Sequence, residues 1–257
     1  MEVQGKVAII TGSSRGVGRA VALKLAAQGC SVVINYRCSK EEAESVFKEL
    51  KSFKAPSLLI QADVSKEADC LSLIQKTIAE FGRLDILVNN AATTNFLPFS
   101  DLNLLTDEHW DRILQTNVKG PFYCAKAAQS WLEKPEKGGE IINITSIAGL
   151  TGNGSSLAYC ASKAALINMT ISLARILAPR VRVNSVAPGF IADDWTQQGL
   201  KGNYENAKTG HESKAVLGKV CTPDDIAEAV VSLITGSDLV TGQTLVCDGG
   251  ATIGPRA

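Results

Sequence analysis

Short runs rich in valine and isoleucine recur through this chain at Val7 to Ile10, Val32 to Ile34, Leu58 to Ile60, Ile86 to Val88, Ile141 to Ile144, Val181 to Val186 and Thr244 to Val246. Stretches with helical spacing fill the gaps: Gly18 to Gln28, Lys40 to Phe53, Lys66 to Phe81, Thr106 to Glu133, Leu157 to Ala178 and Pro223 to Ile234. A run without polar alternation belongs to a strand buried on both faces. Strands of that kind separated by helices are joined by crossovers, so they lie parallel with helices on each side. The pattern predicts an α/β protein with a doubly wound, seven-stranded parallel sheet. No shift in composition divides residues 1–257, and that length suits one domain.

One segment breaks the rhythm. Asp193 to Ala215, "DDWTQQGLKGNYENAKTGHESKA", is polar and bears glycine, and it reads as a long loop before the last helix. A loop of that length is a lid or an insertion, so a lid is expected at about residues 190–215. Trp195 and Tyr204 either close over a ligand or simply pack the loop down.

Lysine plus arginine and aspartate plus glutamate each number 26, and this balance argues against nucleic acid as a partner. The apolar run near Met1 is too short for a signal peptide, and no stretch approaches the roughly 18 apolar residues of a membrane span. Seven scattered cysteines form no CxxC pair, and there are only two histidines, His109 and His211. A cytoplasmic protein with reduced thiols and no metal is the expectation.

The first strand runs into "TGSSRGVGRA", which places Gly12, Gly16 and Gly18 between a strand and a helix. Backbone approaches a pyrophosphate closely only where side chains are missing, and the helix N-terminus adds partial positive charge. The turn belongs to a Rossmann-type sheet that binds a dinucleotide.

The spacing TGxxxGxG resembles that of the short-chain dehydrogenase/reductase family. The likeness continues through "ADVS" (Ala62 to Ser65), "NNAA" (Asn89 to Ala92), "TNVKG" (Thr116 to Gly120), "TSIAG" (Thr145 to Gly149), "YCASK" (Tyr159 to Lys163), "VNSVAPGFI" (Val183 to Ile191) and "VTGQTLVCDGG" (Val240 to Gly250). It implies that Gly12, Ser14, Arg15, Gly16, Val17 and Gly18 hold the pyrophosphate side of the cofactor. It further implies that Asp63 and Val64 hold the adenine, that Asn89 and Ala91 pass near its ribose, and that Pro188, Gly189 and Ile191 border the nicotinamide. The second strand ends in Asn35 and Tyr36 where a carboxylate would select NAD, and Arg37 follows. Arg15 supplies a second cation, and two guanidinium groups suit a 2′-phosphate, although each could be an ordinary surface arginine. The preferred cofactor is NADP(H), with NAD(H) left open.

Tyr159 and Lys163 stand four residues apart and therefore share a helix face. An ammonium near a phenol favours the phenolate, which suits a tyrosine acting as acid or base. Ser146, at the end of the fifth strand, is placed to stabilise charge on a substrate oxygen. Pro121 lacks an N–H and cannot bond the carbonyl of Asn117, so the long helix should kink there and free that carbonyl for a water. By the resemblance, Asn117, Ser146, Tyr159 and Lys163 form a catalytic tetrad in which Lys163 also holds the nicotinamide ribose and relays protons.

Two residues depart from the family pattern. Asp193 stands where a threonine commonly helps hold the nicotinamide carboxamide, and Ala92 replaces a glycine. The substrate side, expected to include Ser146, Ala148, Tyr159, Phe190 and Trp195 with Thr94, Phe96, Ile147 and Gly189 nearby, suits a small to medium, partly apolar carbonyl or alcohol. The likeness is greatest to 3-oxoacyl-carrier-protein reductases, with sugar, polyol or steroid dehydrogenases and a non-catalytic NADPH-binding regulator as alternatives. It also implies a homotetramer joined through the long helices and the last strand.

Overall fold

The computed structural model describes residues 1–53, 55–136 and 138–254. Seven parallel strands, β1 (Val7–Ile10), β2 (Ser31–Tyr36), β3 (Ser57–Gln61), β4 (Ile86–Asn89), β5 (Gly139–Ile144), β6 (Val181–Pro188) and β7 (Thr244–Cys247), lie in the order 3-2-1-4-5-6-7. Chain order reverses between β1 and β4, where Ile10 pairs with Val88. Such a switch point opens a crevice at the carboxyl ends of the strands.

Alternate residues of each strand feed two separate cores, as the two-residue repeat of a pleated strand requires. Ala8 and Ile10 face one layer, where they meet α1 (Gly16–Ala27), α2 (Lys40–Leu50) and, later in the chain, the helix at Pro223–Thr235. Val7 and Ile9 face the other, packed against α3 (Glu67–Phe81) and the helices that precede and follow β5.

The long helix expected before β5 is three pieces. These are α4 (Asp107–Leu114), a π-helical turn at Gln115–Lys119 closed by a Gly120 N–H to Gln115 carbonyl bond, and α5 (Gly120–Leu132). Pro121 sits in the first turn of α5, where a missing N–H is tolerated. The expected kink is therefore a local widening of the helix. After β5 come the short α6 (Ala148–Thr151) and α7 (Leu157–Leu177). By length and composition α7 could cross a membrane, contrary to the sequence expectation, yet Leu166, Leu173 and Leu177 are buried and the helix packs along β6 and hydrogen-bonds to β5 as a core element.

The segment expected to be a loop is instead mostly helical, as α8 (Asp194–Leu200) and α9 (Tyr204–Lys214), followed by α10 (Pro223–Thr235). Its own apolar pattern is weak, so contacts outside it hold it down. The Trp195 ring meets Phe96 edge-on at 5.9 Å, and Phe190 stacks on His211 at 4.7 Å and on Tyr204 at 6.0 Å.

The amino edge of the sheet carries buried charge. Asp85 accepts both Arg83 nitrogens at 2.6 and 2.8 Å and the Val7 N–H at 3.0 Å. Glu140, equally buried, has Arg182 Nη2 at 2.9 Å and the Asn184 side chain nearby, both favouring its charged form. Burial pushes the Glu140 carboxyl up to about 8 against the pull of Arg182.

Candidate active site

Between β1 and α1 the backbone makes the turn that the glycines permit. Gly12 (φ 61°) and Gly16 (φ 54°) adopt left-handed backbone that a side chain would strain. A Cβ on Gly12 would stand 2.9 Å from the Ala91 Cα, so the turn and the β4 loop close on each other through bare backbone. Gly18 acts from behind. Its Cβ would fall 2.5 Å from Asn90 Nδ2 and 2.7 Å from the Gly12 carbonyl, which makes it a packing position rather than a lining one. Asn35 Oδ1 accepts the Gly12 N–H at 3.1 Å, and Asn90 Nδ2 donates to the Thr11 and Gly12 carbonyls at 2.8 and 3.0 Å.

Asn89, expected beside the cofactor ribose, is buried in β4 and donates across the sheet to Asn143 Oδ1 at 2.9 Å. Its neighbour Asn90 lines the cleft instead. The expectation was off by one residue because successive strand side chains point to opposite faces.

The turn opens into one cleft of about 750 Å³ along the carboxyl ends of the strands. Gly12, Ser14, Arg15, Gly16, Val17, Tyr36, Arg37, Asp63, Val64 and Ala91 line one half. Among the described residues neither Arg15 nor Arg37 has a carboxylate within ion-pair distance, so both guanidinium groups are free for an anion. Cys38 and Ser39 join this half, which sequence reasoning had not included.

In the other half, Ser146 follows β5 and Tyr159 stands in the first turn of α7, whose N-cap Ser156 accepts the Tyr159 N–H at 3.3 Å. The Ser146 hydroxyl lies close enough to the phenol to oppose its upward shift, and it accepts the Ala148 N–H at 3.1 Å. Lys163 Nζ lies 5.6 Å from the Tyr159 ring centre and donates to the Ile144 carbonyl at 2.7 Å. Burial pulls the Lys163 ammonium down to about 7 and pushes the Tyr159 phenol up to about 12, with the neighbouring Ser146 hydroxyl opposing the latter. The expected lowering of the phenol by a nearby ammonium is absent, because a lysine held at about 7 carries no charge where the enclosed phenol titrates.

Asn117 lies in the π-helical turn and does not line the cleft; Thr116 does. Its side chain accepts the Thr93 N–H at 2.8 Å and donates to the Thr93 carbonyl at 2.9 Å and to Ser162 Oγ at 3.0 Å. Ser162 in turn donates to the Tyr159 carbonyl at 2.7 Å. Asn117 thus ties the β4 loop to the helix that carries Tyr159 and Lys163. Ser162 is a support that sequence reasoning missed, although "YCASK" contains it.

Ala148, Pro188, Gly189, Phe190, Ile191, Trp195, Phe96 and Ile147 border this half, together with Ala92. Thr94, expected among them, is turned to Ser155 Oγ at 2.6 Å. Several residues here were not foreseen, among them His211 and Lys214 from α9, and Ala251 and Thr252 after β7. Only the folded path of the chain brings them to the cleft. Among the described residues no group of side chains could hold a metal ion.

A hydroxyl pair at one point, a buried lysine one helical turn away and a bare-backbone anion turn make an oxidoreductase cleft for a dinucleotide and a carbonyl or alcohol. The chain belongs to the short-chain dehydrogenase/reductase family, whose members act on such groups. The sequence profile described as enoyl-(acyl carrier protein) reductase matches residues 12–252. The 3-oxoacyl-[acyl-carrier-protein] reductase of Staphylococcus aureus is 38% identical over 247 residues, covering 95% of this chain and 97% of that relative. The Synechocystis sp. 3-oxoacyl-[acyl-carrier-protein] reductase is 39% identical over 249 residues, covering 95% and 96%. A short-chain dehydrogenase from Burkholderia cenocepacia, solved in complex with NADP, superposes with a TM-score of 0.87 at 34% identity, covering 98% of this chain and 100% of that one.

Proposed function

We propose that this chain is an NADP(H)-dependent reductase that moves a hydride between the nicotinamide and a carbonyl carbon, with 3-oxoacyl thioesters as the substrate class. The observation that carries the reading is the pairing of Ser146 with Tyr159 above Lys163 at the carboxyl edge of β5.

The residues present suit the dinucleotide. Gly12 and Gly16 form a cradle that side chains would fill, and the N-terminus of α1 meets the phosphates. Arg15 and Arg37, free of carboxylates, suit a 2′-phosphate, and the second strand offers Asn35 and Tyr36 rather than an acid. NADH fits the same cradle, so the preference rests on the two arginines. When bound, the nicotinamide supplies or accepts the hydride.

Ser146 Oγ and Tyr159 Oη donate to the substrate oxygen, orient it and stabilise the negative charge that develops there. Tyr159 Oη then gives up its proton to that oxygen, and takes one in the oxidative direction. A phenol held high by burial is protonated at neutral pH, as an acid for reduction must be. Lys163, held near neutrality, can both carry and release a proton beside it. Asn117 fixes the π-turn against α7, and its carbonyl, which Pro121 cannot bond, is the natural seat for a water that resupplies Lys163. The segment from Phe190 to Lys214 is the substrate lid, with Trp195 and Phe190 as its apolar inner face.

The same reading includes a cytoplasmic homotetramer. Free thiols at all seven cysteines agree with a reducing compartment. Two exposed apolar faces support assembly: Leu245, Val246 and Ile253 around the edge strand β7, and Phe122, Ile171 and Ile176 on the long helices. The balanced charge leaves nucleic acid and membrane outside the expected partners.

The test is consumption of NADPH and NADH against 3-oxoacyl thioesters, keto-sugars and ketosteroids, alongside light scattering for mass. NADPH-dependent turnover of thioesters above the other carbonyls is expected. Preference for a keto-sugar or steroid would move the substrate, and tight NADPH binding with no turnover anywhere would make the chain a cofactor-binding regulator.

A further inference from the structure

The lid begins at Asp193, and its two carboxylate oxygens look in different directions. Oδ1 accepts the Thr196 N–H at 2.9 Å and so caps α8. Oδ2 lies 3.2 Å from the point where a Cβ on Gly16 would stand. Gly16 opens α1, and its bare backbone is part of the cradle for the cofactor phosphates. A carboxylate fixed by a helix cap therefore faces the turn that must receive a pyrophosphate. Among the described residues no cation lies within ion-pair distance of Asp193, so its charge is not neutralised locally. The same carboxylate bears on Tyr159, where it adds to the upward push on the phenol.

We propose that Asp193 sets the affinity and release rate of the cofactor by opposing its pyrophosphate, using the N-cap of the lid helix as the mount that holds the charge in place. The proposal rests on the reading of the cleft as a dinucleotide site and goes beyond it. Like charges a few ångströms apart repel by a factor that is large in binding terms, from about fivefold in bulk water to about a thousandfold near a protein surface, and in an open cleft solvent and salt hold it towards the lower end. Most effects of this kind appear in the dissociation rate. The cap makes the repulsion directional, because swinging the carboxylate away from Gly16 uncaps α8.

Asp193→Asn separates the two roles. Asparagine caps a helix as well as aspartate does, so the variant keeps the mount and loses the charge. Dissociation constants for NADPH and NADH are measured by quenching of the three tryptophans at low and high salt, with thermal melts of both proteins. The expected result is about tenfold tighter binding of both cofactors at low salt, an unchanged NADPH to NADH ratio, a gap that narrows as salt rises, and equal melting points. A 2′-phosphate effect would change the ratio, and a purely structural effect would move the melting point and ignore salt; either overturns the proposal. Weaker binding by the variant would show the carboxylate to be a favourable ligand contact, and equal binding would show it to be idle. Asp193→Gly, which an N-cap tolerates and which brings no hydroxyl to the carboxamide, is the second variant and must tighten binding in the same way. If neither the parent protein nor the variant binds a dinucleotide, the site reading itself fails and this inference falls with it; binding without a difference sinks only the inference.

Discussion

Strand β5 has a buried ionisable group at each end, and the two are treated differently. Glu140 begins the strand with Arg182 at 2.9 Å, while the Ile144 carbonyl ends it by accepting from Lys163 at 2.7 Å. Burial disfavours the charge in both places, raising Glu140 to about 8 and lowering Lys163 to about 7. The acid was given a counter-ion; the lysine was given a carbonyl and a neighbouring phenol. A counter-ion favours the charged form and only partly offsets burial at Glu140, whereas a carbonyl holds an amine whether or not it carries its proton. Both groups are thereby brought to titrate near neutrality, but only the lysine at the carboxyl edge lines the cleft.

The largest effect expected from breaking this contrast is at Tyr159. Tyr159→Phe removes the proton donor while leaving the ring in place, so steady-state reduction should fall about 10³-fold with NADPH affinity retained. Turnover within a few-fold of the parent protein would end the assignment of the phenol as the acid. At the other end, Arg182→Leu leaves Glu140 buried without a partner and should destabilise the fold by about 3–5 kcal/mol in denaturant melts. The folded variant should keep its NADPH affinity. Loss of affinity out of proportion to stability would mean that the two edges are coupled.

Lys163→Met tests whether the lysine is tolerated for function rather than stability. Its folded value lies below its usual one, so between about pH 7 and the ordinary lysine range the unfolded chain holds the extra proton and the native state gains stability as pH rises. Methionine should flatten that rise and make the protein more stable than its parent at pH 6, by about 2 kcal/mol, while abolishing turnover. A variant less stable than its parent at pH 6 would show the ammonium to be structural.

Much of this was legible beforehand. The strands gave themselves away by unbroken Val/Ile runs, and the glycine turn and the Tyr159–Lys163 spacing by fixed offsets that local geometry demands. Asp193 to Ala215 reads as a loop because its helices are polar; Trp195 and Phe190 hold it through partners that the sequence does not place beside them. Likewise Pro121 signalled an interruption but not its form, which depends on Gly120 bonding five residues back to Gln115. Asn89 was exchanged for Asn90 because strand alternation decides which of two adjacent asparagines faces the cleft. The direction of the Tyr159 shift was missed because spacing reveals a neighbouring charge but not the enclosure around it.

The smallest effect belongs to Glu140→Gln, and its sign is diagnostic. The folded value of the acid lies above its usual one, so as pH rises from the carboxylate range to about 8 the unfolded chain ionises first and the native state loses stability. The limiting slope is about 1.4 kcal/mol per pH unit. Glutamine cannot ionise and should remove that slope, leaving a variant that matches its parent near pH 4 and exceeds it by a margin that widens towards pH 8. Turnover should not change, since β5 separates Glu140 from the cleft. Melts across this range decide the matter: a variant that loses stability at pH 8 would show that Arg182 more than offsets burial, and the amino edge would then be held by its ion pair rather than in spite of it.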